Sequence, residues 1–165
     1  MKKKIIIFIS WFLVILWMGL IYYLSDMNGV ESTSKSEKAI STVIEKTVEV
    51  TNEVGITNKN PKSSKISKLS EFLDYPARKL MHASVYFVLT ILVFNAFFQS
   101  DIKKRIFIYS ILFAFLYACT DEYHQAFSGR TSSFIDVLID TFGSLIAILM
   151  IKIIIRLKHK KIKQN

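Results

Sequence analysis

The sequence lacks the signatures that would assign it to a familiar class of secreted or catalytic protein. It has one cysteine, Cys119, within an apolar stretch, which excludes an internal disulfide framework and favours a packing role for the thiol. It contains neither a Gly-x-Ser-x-Gly elbow nor a His-Glu-x-x-His zinc motif. No small-x-small cleavage site follows the first apolar run, so we interpret that run as a membrane span rather than a signal peptide.

Apolar residues are abundant by contrast, at 52% of a chain with 21% charged residues. They are concentrated in long uninterrupted runs, and about 20 such residues cross a bilayer as one helix. We therefore predict an all-α fold, an integral membrane four-helix bundle that forms a single domain over residues 1–165. The predicted spans are about 5–24, 77–98, 106–127 and 134–155.

One substantial polar segment, at about 25–76, separates the first two spans. Apolar residues recur in it at helical spacing, which predicts an amphipathic helix over about 35–54 that begins at the capping box Ser34 to Glu37. A Gly/Asn/Pro/Ser stretch at 55–64 predicts a break after that helix.

A second, shorter amphipathic helix is predicted around Ile66, Leu69 and Leu73. We expect Pro76 to start the second span, because the first turn of a helix tolerates a missing amide. The segment 25–76 is thus predicted to be an extracytoplasmic loop that carries one or two amphipathic helices.

The net charge of +9 is located at the ends of the apolar runs. Lys and Arg cluster before the first run, in the loop at 99–105, and after the last run, which is the positive-inside pattern rather than a nucleic-acid-binding surface. Both termini and the 99–105 loop are therefore predicted to be cytoplasmic. Residues 25–76 and 128–133 are predicted to lie outside.

Ionisable and amide side chains gather at the outward ends of the last three spans. Charge placed against lipid is costly, so the helical stripes that carry these residues are expected to face the bundle interior. The structural alternative is an interfacial anchor, which suits Lys79, Arg130 and Asp136 equally well. The residues are Arg78, Lys79, His82, Asp121, Glu122, His124, Gln125, Arg130, Asp136 and Asp140.

Helix dipoles distinguish the residues of this group whose charge is unfavourable at their position in the helix. Arg78 near the start of its helix, and Asp121 and Glu122 near the end of theirs, are placed unfavourably for their own dipoles. We therefore predict an ion pair between Arg78 and Asp121 or Glu122, which by itself is compatible with a purely structural role.

The same residues carry a family resemblance. Arg78-Lys79-x-x-His82, then Asp121-Glu122-x-His124-Gln125-x-Phe127-x-Gly129-Arg130, then Asp136 and Gly143, resemble the VanZ-like family over most of the chain. The resemblance implies a multi-pass protein of the bacterial plasma membrane. It also implies a role in cell-envelope or glycopeptide resistance, teicoplanin above all, without supplying a reaction.

Three functions remain open from the residues. The first is an envelope factor that binds a lipid-linked or anionic ligand at the outer leaflet, where Arg suits a phosphate or carboxylate group. The amphipathic loop helix would then act as a lid. The ligand-binding candidates are Arg78, His82, Glu122, Gln125, Arg130, Asp136 and Asp140.

The second is a membrane-embedded enzyme that acts on a lipid or cell-wall precursor by acid and base chemistry. Its catalytic candidates are Asp121, Glu122, His82 and His124. A metal-dependent version would use His82, Asp121, His124 and Asp140, but their spacing matches no recognised ligand motif, so no metal and no cofactor are predicted. The third function is a structural partner of another membrane protein. The oligomeric state stays open.

Overall fold

The computed structural model describes residues 2–25, 29–53, 63–127 and 133–164, and every segment of regular structure among them is an α-helix. Four of the helices are long and apolar enough to cross a membrane, which confirms the predicted all-α membrane architecture for the described chain. The fifth, α2, is the polar one. The helices are α1 Lys2–Ser25, α2 Gly29–Glu53, α3 Ser63–Gln99, α4 Ile106–Phe127 and α5 Phe134–Gln164.

The chain forms two compact units. The span unit contains Met1–Asp26 with Met81–Asn165, and the insert unit contains Met27–Leu80. Helix α3 begins in the insert unit and ends in the span unit. That the whole chain acts as a single domain stays a prediction.

The core of the span unit combines large apolar side chains with alanines that let the helices approach. Side-chain hydrogen bonds tie α1 to its neighbours: Trp17 Nε1 donates to the Val85 carbonyl (3.0 Å), Tyr117 Oη donates to the Met18 carbonyl (2.6 Å), and Asn95 Nδ2 donates to Ser10 Oγ (3.1 Å). These partly buried donors thereby find partners in an apolar surrounding. The core residues are Val14, Ile21, Tyr86, Leu89, Val93, Ala96, Ala114, Ala118 and Val137.

At the opposite end of this unit, helix α3 ends in a Schellman motif, which begins the loop to α4. Ile102 N–H donates to the Phe97 carbonyl and Asp101 N–H to that of Phe98, at 3.0 and 3.2 Å. Asp101 adopts the left-handed conformation that the motif requires, with φ 61°. Lys3 donates a hydrogen bond to its carboxylate, and this bond and the nearby charge lower the pKa of Asp101.

Two predicted helix starts were wrong. Helix α2 begins at Gly29, so Ser34 lies inside it and the capping box does not mark its start. Such a box stabilises a terminus by only about 1 kcal/mol, which continued helix formation upstream outweighs. The end predicted at 54 and most of the break at 55–64 fall in residues 54–62, outside the described chain.

The predicted short helix and second span are one continuous helix, with Pro76 in its interior. The missing amide removes one backbone hydrogen bond there. Side chains bridge the proline on the insert-unit side: Arg78 pairs with Asp74 at 2.9 Å, and Lys79 lies 5.2 Å from the centre of the Tyr75 ring. Contacts between residues four apart add to helix stability and offset part of that loss.

The third span was predicted with its observed bounds. The fourth begins at Phe134 as predicted but continues to Gln164, beyond the predicted end at 155. The extra turns carry the basic tail, because Lys and Arg are good helix formers and helicity does not stop where hydrophobicity does.

Candidate functional site

The polar end of the span unit, comprising residues 22–25, 81–86, 117–127 and 133–140, collects most of the predicted site residues. Four of these are almost completely buried: Asp121, Glu122, Gln125 and Asp140. Another three, His82, His124 and Asp136, are partly exposed. Burial of three carboxyl groups in one helical unit is unusual, since Asp and Glu are almost never buried unless paired.

The first contact in this cluster joins α3 to α5. His82 Nδ1 lies 3.7 Å from Asp140 Oδ1, and only 1% of the Asp140 side chain is exposed. An imidazole at this distance from a carboxylate forms an ion pair when it is protonated. The pair therefore provides a titratable contact between two spans.

A close backbone approach accompanies the pair. Gly143, about one turn after Asp140, lies against the backbone of Ala83, and a Cβ at this position would overlap the Ala83 carbonyl group. Ala83 is also the residue that follows His82. The absence of a side chain at Gly143 thus allows α5 to come close enough to α3 for His82 to reach Asp140.

The second contact group surrounds Asp121 on α4. Gln125 Nε2 donates to Asp121 Oδ2 at 3.1 Å, along one face of the helix. Tyr86 of α3, with 1% of its surface exposed, packs against Tyr117 of α4, which lies one turn before Asp121 on the same helix. Within the described residues, neither the Tyr86 hydroxyl nor Asp121 Oδ1 completes a hydrogen bond of ordinary geometry.

Glu122 connects α4 to the start of α5. Its Oε2 accepts a hydrogen bond from Ser133 N–H at 2.9 Å, while Ser133 Oγ accepts one from Ile135 N–H at 3.2 Å. Ser133 is therefore the N-cap of α5, and Glu122 holds that cap from the neighbouring helix. A negative charge beside a helix N-terminus is favourable, which gives Glu122 a structural function.

Aromatic rings lie beside these polar groups. The Tyr22 ring lies 4.3 Å, centre to centre, from the His124 imidazole, and the Tyr86 and Tyr117 rings are 6.2 Å apart. Tyr22 is half exposed whereas Tyr86 is buried. The polar end thus combines carboxyl groups, imidazoles and tyrosine rings.

Two predicted ligand-binding residues are not part of this described cluster. Arg78 belongs to the insert unit, where its partner is the buried Asp74 one turn earlier on the same helix. Arg130 lies outside the described residues. The predicted pairing of Arg78 with Asp121 or Glu122 stays a prediction, as does a role for either arginine in ligand binding.

Comparison with protein families then assigns the chain. The family model for VanZ/LLP1 matches residues 8–156, which is nearly the whole sequence. The chain belongs to the VanZ/LLP1 family. No curated protein matches it, and no solved structure does.

Four residues of this VanZ/LLP1 protein that the structure places at the site were not among the sequence-derived candidates: Tyr22, Tyr86, Tyr117 and Ser133. Tyr86 lies one turn from His82 on the same face of α3, so the spacing of four residues was the available signal. Ser133 precedes an apolar run with Asp136 three residues later, a pattern typical of a helix N-terminus. Its contact with Glu122 depends on helix packing and has no sequence signal.

The side chains of the cluster limit the kinds of ligand that it could bind. Among the described residues of this VanZ/LLP1 protein, no three His, Cys, Asp or Glu side chains come together in a way that would hold a metal ion. The span segments 81–99, 106–127 and 133–151 contain no Lys or Arg. Within these segments the carboxyl groups therefore have only histidines as possible cationic partners.

Proposed function

We propose that this VanZ/LLP1 protein is a cell-envelope factor that binds a lipid-linked ligand in the outer half of the plasma membrane. Its effect on the cell, by analogy with the phenotype that the family resemblance implies, is altered susceptibility to glycopeptides such as teicoplanin. The observation that carries the proposal is the burial of Asp121, Glu122 and Asp140 at one end of the apolar spans.

Carboxyl groups within membrane spans carry an energetic cost that a functional role would explain. A charged side chain at mid-membrane costs about 2.5 to 3.5 kcal/mol on insertion scales, and polar residues within spans are usually functional. Glu122 has a structural partner in Ser133. Asp121 and Asp140 lie instead beside Tyr86 and the partly exposed His82, a combination that helix capping does not require.

The outer-leaflet location rests on the distribution of Lys and Arg, which favours cytoplasmic termini and a cytoplasmic 99–105 loop. On this topology, Arg78 and Arg130 would be available for an anionic head group, and the amphipathic helix α2 for covering the ligand. These roles belong to the proposal.

The experiment combines ligand identification with a phenotype. Native mass spectrometry of the purified full-length protein should show a co-purifying lipid, and Glu122→Gln and Arg130→Lys should lose it. Glu to Gln removes charge and keeps shape, whereas Arg to Lys keeps charge and loses the planar fork.

Both variants should also abolish any glycopeptide resistance that the wild-type protein confers, at unchanged membrane abundance, in a strain without the native copy. Lys103→Ala, in the opposite loop, is the matched control and should retain both lipid and phenotype. Full resistance in both site variants at normal abundance, with lipid still bound, would contradict the proposal.

A second candidate function is favoured by the His82 and Asp140 contact. An imidazole oriented by a carboxylate is a common arrangement for proton transfer, so the protein would act as an enzyme on a lipid or cell-wall precursor. In that case His82→Gln should retain the co-purifying lipid while the phenotype is lost. Loss of both together favours simple binding.

A further inference from the structure

The polar end of the span unit contains a pair of buried polar atoms, one on α3 and one on α4. The Tyr86 hydroxyl and Asp121 Oδ1 both lie in the interior, and within the described residues neither completes a hydrogen bond of ordinary geometry. Leaving such a buried atom without a bond costs about 1 to 3 kcal/mol, more when it carries charge. These two atoms belong to different helices, and the two side chains are brought together because Tyr86 packs against Tyr117, one turn before Asp121 on the same face of α4.

The charge around the Tyr86 hydroxyl and Asp121 Oδ1 is negative. Asp140, which contacts His82 one turn before Tyr86, is a second carboxyl group nearby, and the adjoining spans contribute no Lys or Arg within 81–99, 106–127 and 133–151. An anionic group would meet repulsion from two carboxyl groups here. A group that carries positive charge and several hydrogen-bond donors would instead satisfy the orphan oxygen atoms.

The aromatic rings also favour a cationic ligand. Tyr86 and Tyr117 have ring centres 6.2 Å apart, and the faces of tyrosine rings attract cations, the more so when the site is shielded from water. A metal ion is a poorer match, because it requires several ligands at about 2.0 to 2.6 Å. The described His, Cys, Asp and Glu side chains form no group of three that would supply them.

We infer that the polar end of the span unit binds the protonated amine of an amphiphilic ligand, through the Asp121 carboxylate and the Tyr86 hydroxyl. The inference rests on the proposed function and adds a protonated amine to its ligand at this position, so the anionic head group proposed for the arginines would be a separate part of that ligand. The ammonium group donates to Asp121 Oδ1 and to the Tyr86 oxygen, and the apolar part of the ligand lies among the surrounding spans. Asp140 adds to the negative field without having to contact the amine.

The test uses the full-length protein in a neutral maltoside detergent and three probes of equal chain length: octylammonium, octanol and octanesulfonate. Trp17 is the reporter, since its indole donates to the carbonyl of Val85, next to Tyr86. The chain has two tryptophans, so Trp11→Phe in every protein leaves Trp17 as the sole source of indole fluorescence. The melting temperature is the second readout.

Saturable binding is expected for octylammonium and not for the other two probes. Asp121→Asn should weaken it at least about tenfold, because it removes a charge-assisted hydrogen bond, and Tyr86→Phe should weaken it about threefold. Asp101→Asn, at the opposite end of the unit, should leave it unchanged. Tyr86→Phe removes one oxygen atom only and keeps the inference testable if Asp121→Asn fails to insert.

Absence of saturable octylammonium binding would overturn the inference. So would unchanged octylammonium binding in both site variants, equal binding of octanol or octanesulfonate, or a response to Mg²⁺, Ca²⁺ or Zn²⁺ alone that Asp121→Asn removes. The proposed function fails separately. If a co-purifying lipid and the phenotype both depend on Glu122 and Arg130 while octylammonium does not bind, the ligand class is wrong and the envelope function stands.

Discussion

Gly143 of α5 packs against Ala83 of α3 so closely that a Cβ at position 143 would stand 2.8 Å from the Ala83 carbonyl carbon and 2.9 Å from its Cα. Both neighbours are backbone atoms, which cannot turn away as the end of a side chain would. The approach lies next to the His82 and Asp140 contact, so the packing of two helices and the geometry of the candidate site depend on the same glycine.

Gly143→Ala should therefore push α5 away from α3 and destabilise the protein by about 1 to 3 kcal/mol, the usual cost of overpacking. The measurement is the melting temperature of the purified protein in detergent. Gly19→Ala is the matched control, because nothing lies within 4 Å of a Cβ there. It should be neutral or stabilising by up to about 1 kcal/mol, as Ala favours helix over Gly. Similar melting temperatures for the two variants would contradict the close approach.

The N-cap of α5 gives a prediction about Glu122. Ser133→Ala removes the hydroxyl that accepts from Ile135 N–H, and should cost about 1 kcal/mol of stability. Glu122→Gln should cost less than Glu122→Ala, because the amide oxygen can still accept from Ser133 N–H. Thermal unfolding of the three variants at equal detergent concentration checks the order. If Glu122→Ala melts like the wild type, the Glu122 contact does not hold the cap.

Much of the helical architecture follows from composition, and the reasons are local. The loop between α3 and α4 is a short polar and charged stretch between two apolar runs, and it predicts the start of α4 at Ile106. The prediction that Pro76 starts a helix was wrong, although proline is common in the first turn of helices. Here residues 63–75 continue the same helix upstream of it, and contacts such as Arg78 with Asp74 bridge the imino acid.

The candidate site was predictable as a set of residues and not as a set of contacts. Polar residues at one end of apolar spans identify His82, Asp121, Glu122 and Asp140 from sequence alone. Which helix faces which depends on packing between segments distant along the chain. The pairing of His82 with Asp140, and the position of Tyr86 beside Asp121, therefore required the three-dimensional structure.

The partner of Arg78 can be tested by double substitution. Arg78→Ala removes the guanidinium that pairs with the buried Asp74 carboxylate and should cost about 1 to 3 kcal/mol, whereas Lys103→Ala should have little effect. Adding Asp74→Asn to Arg78→Ala should recover part of the loss, because the uncompensated charge is then removed. Melting temperatures of the single and double variants provide the measurement. Recovery with Asp121→Asn or Glu122→Gln, and none with Asp74→Asn, would support the pairing predicted from helix dipoles.

Membrane orientation is the last prediction, and the outer-leaflet proposal depends on it. Lys and Arg flank one set of span ends, so a reporter fused after Leu157 should be cytoplasmic and one inserted near Asn58 should be external. A cytoplasm-active fluorescent protein and a periplasm- or surface-active phosphatase, each placed at both positions, give opposite signals at the two sites. Charge reversal of Lys103, Lys104 and Arg105 to Glu provides a control, since removing the positive loop should reduce the bias. Reversed signals in the unaltered protein would place Asp121 and Asp140 toward the cytoplasm, where an outer-leaflet ligand has no access to them.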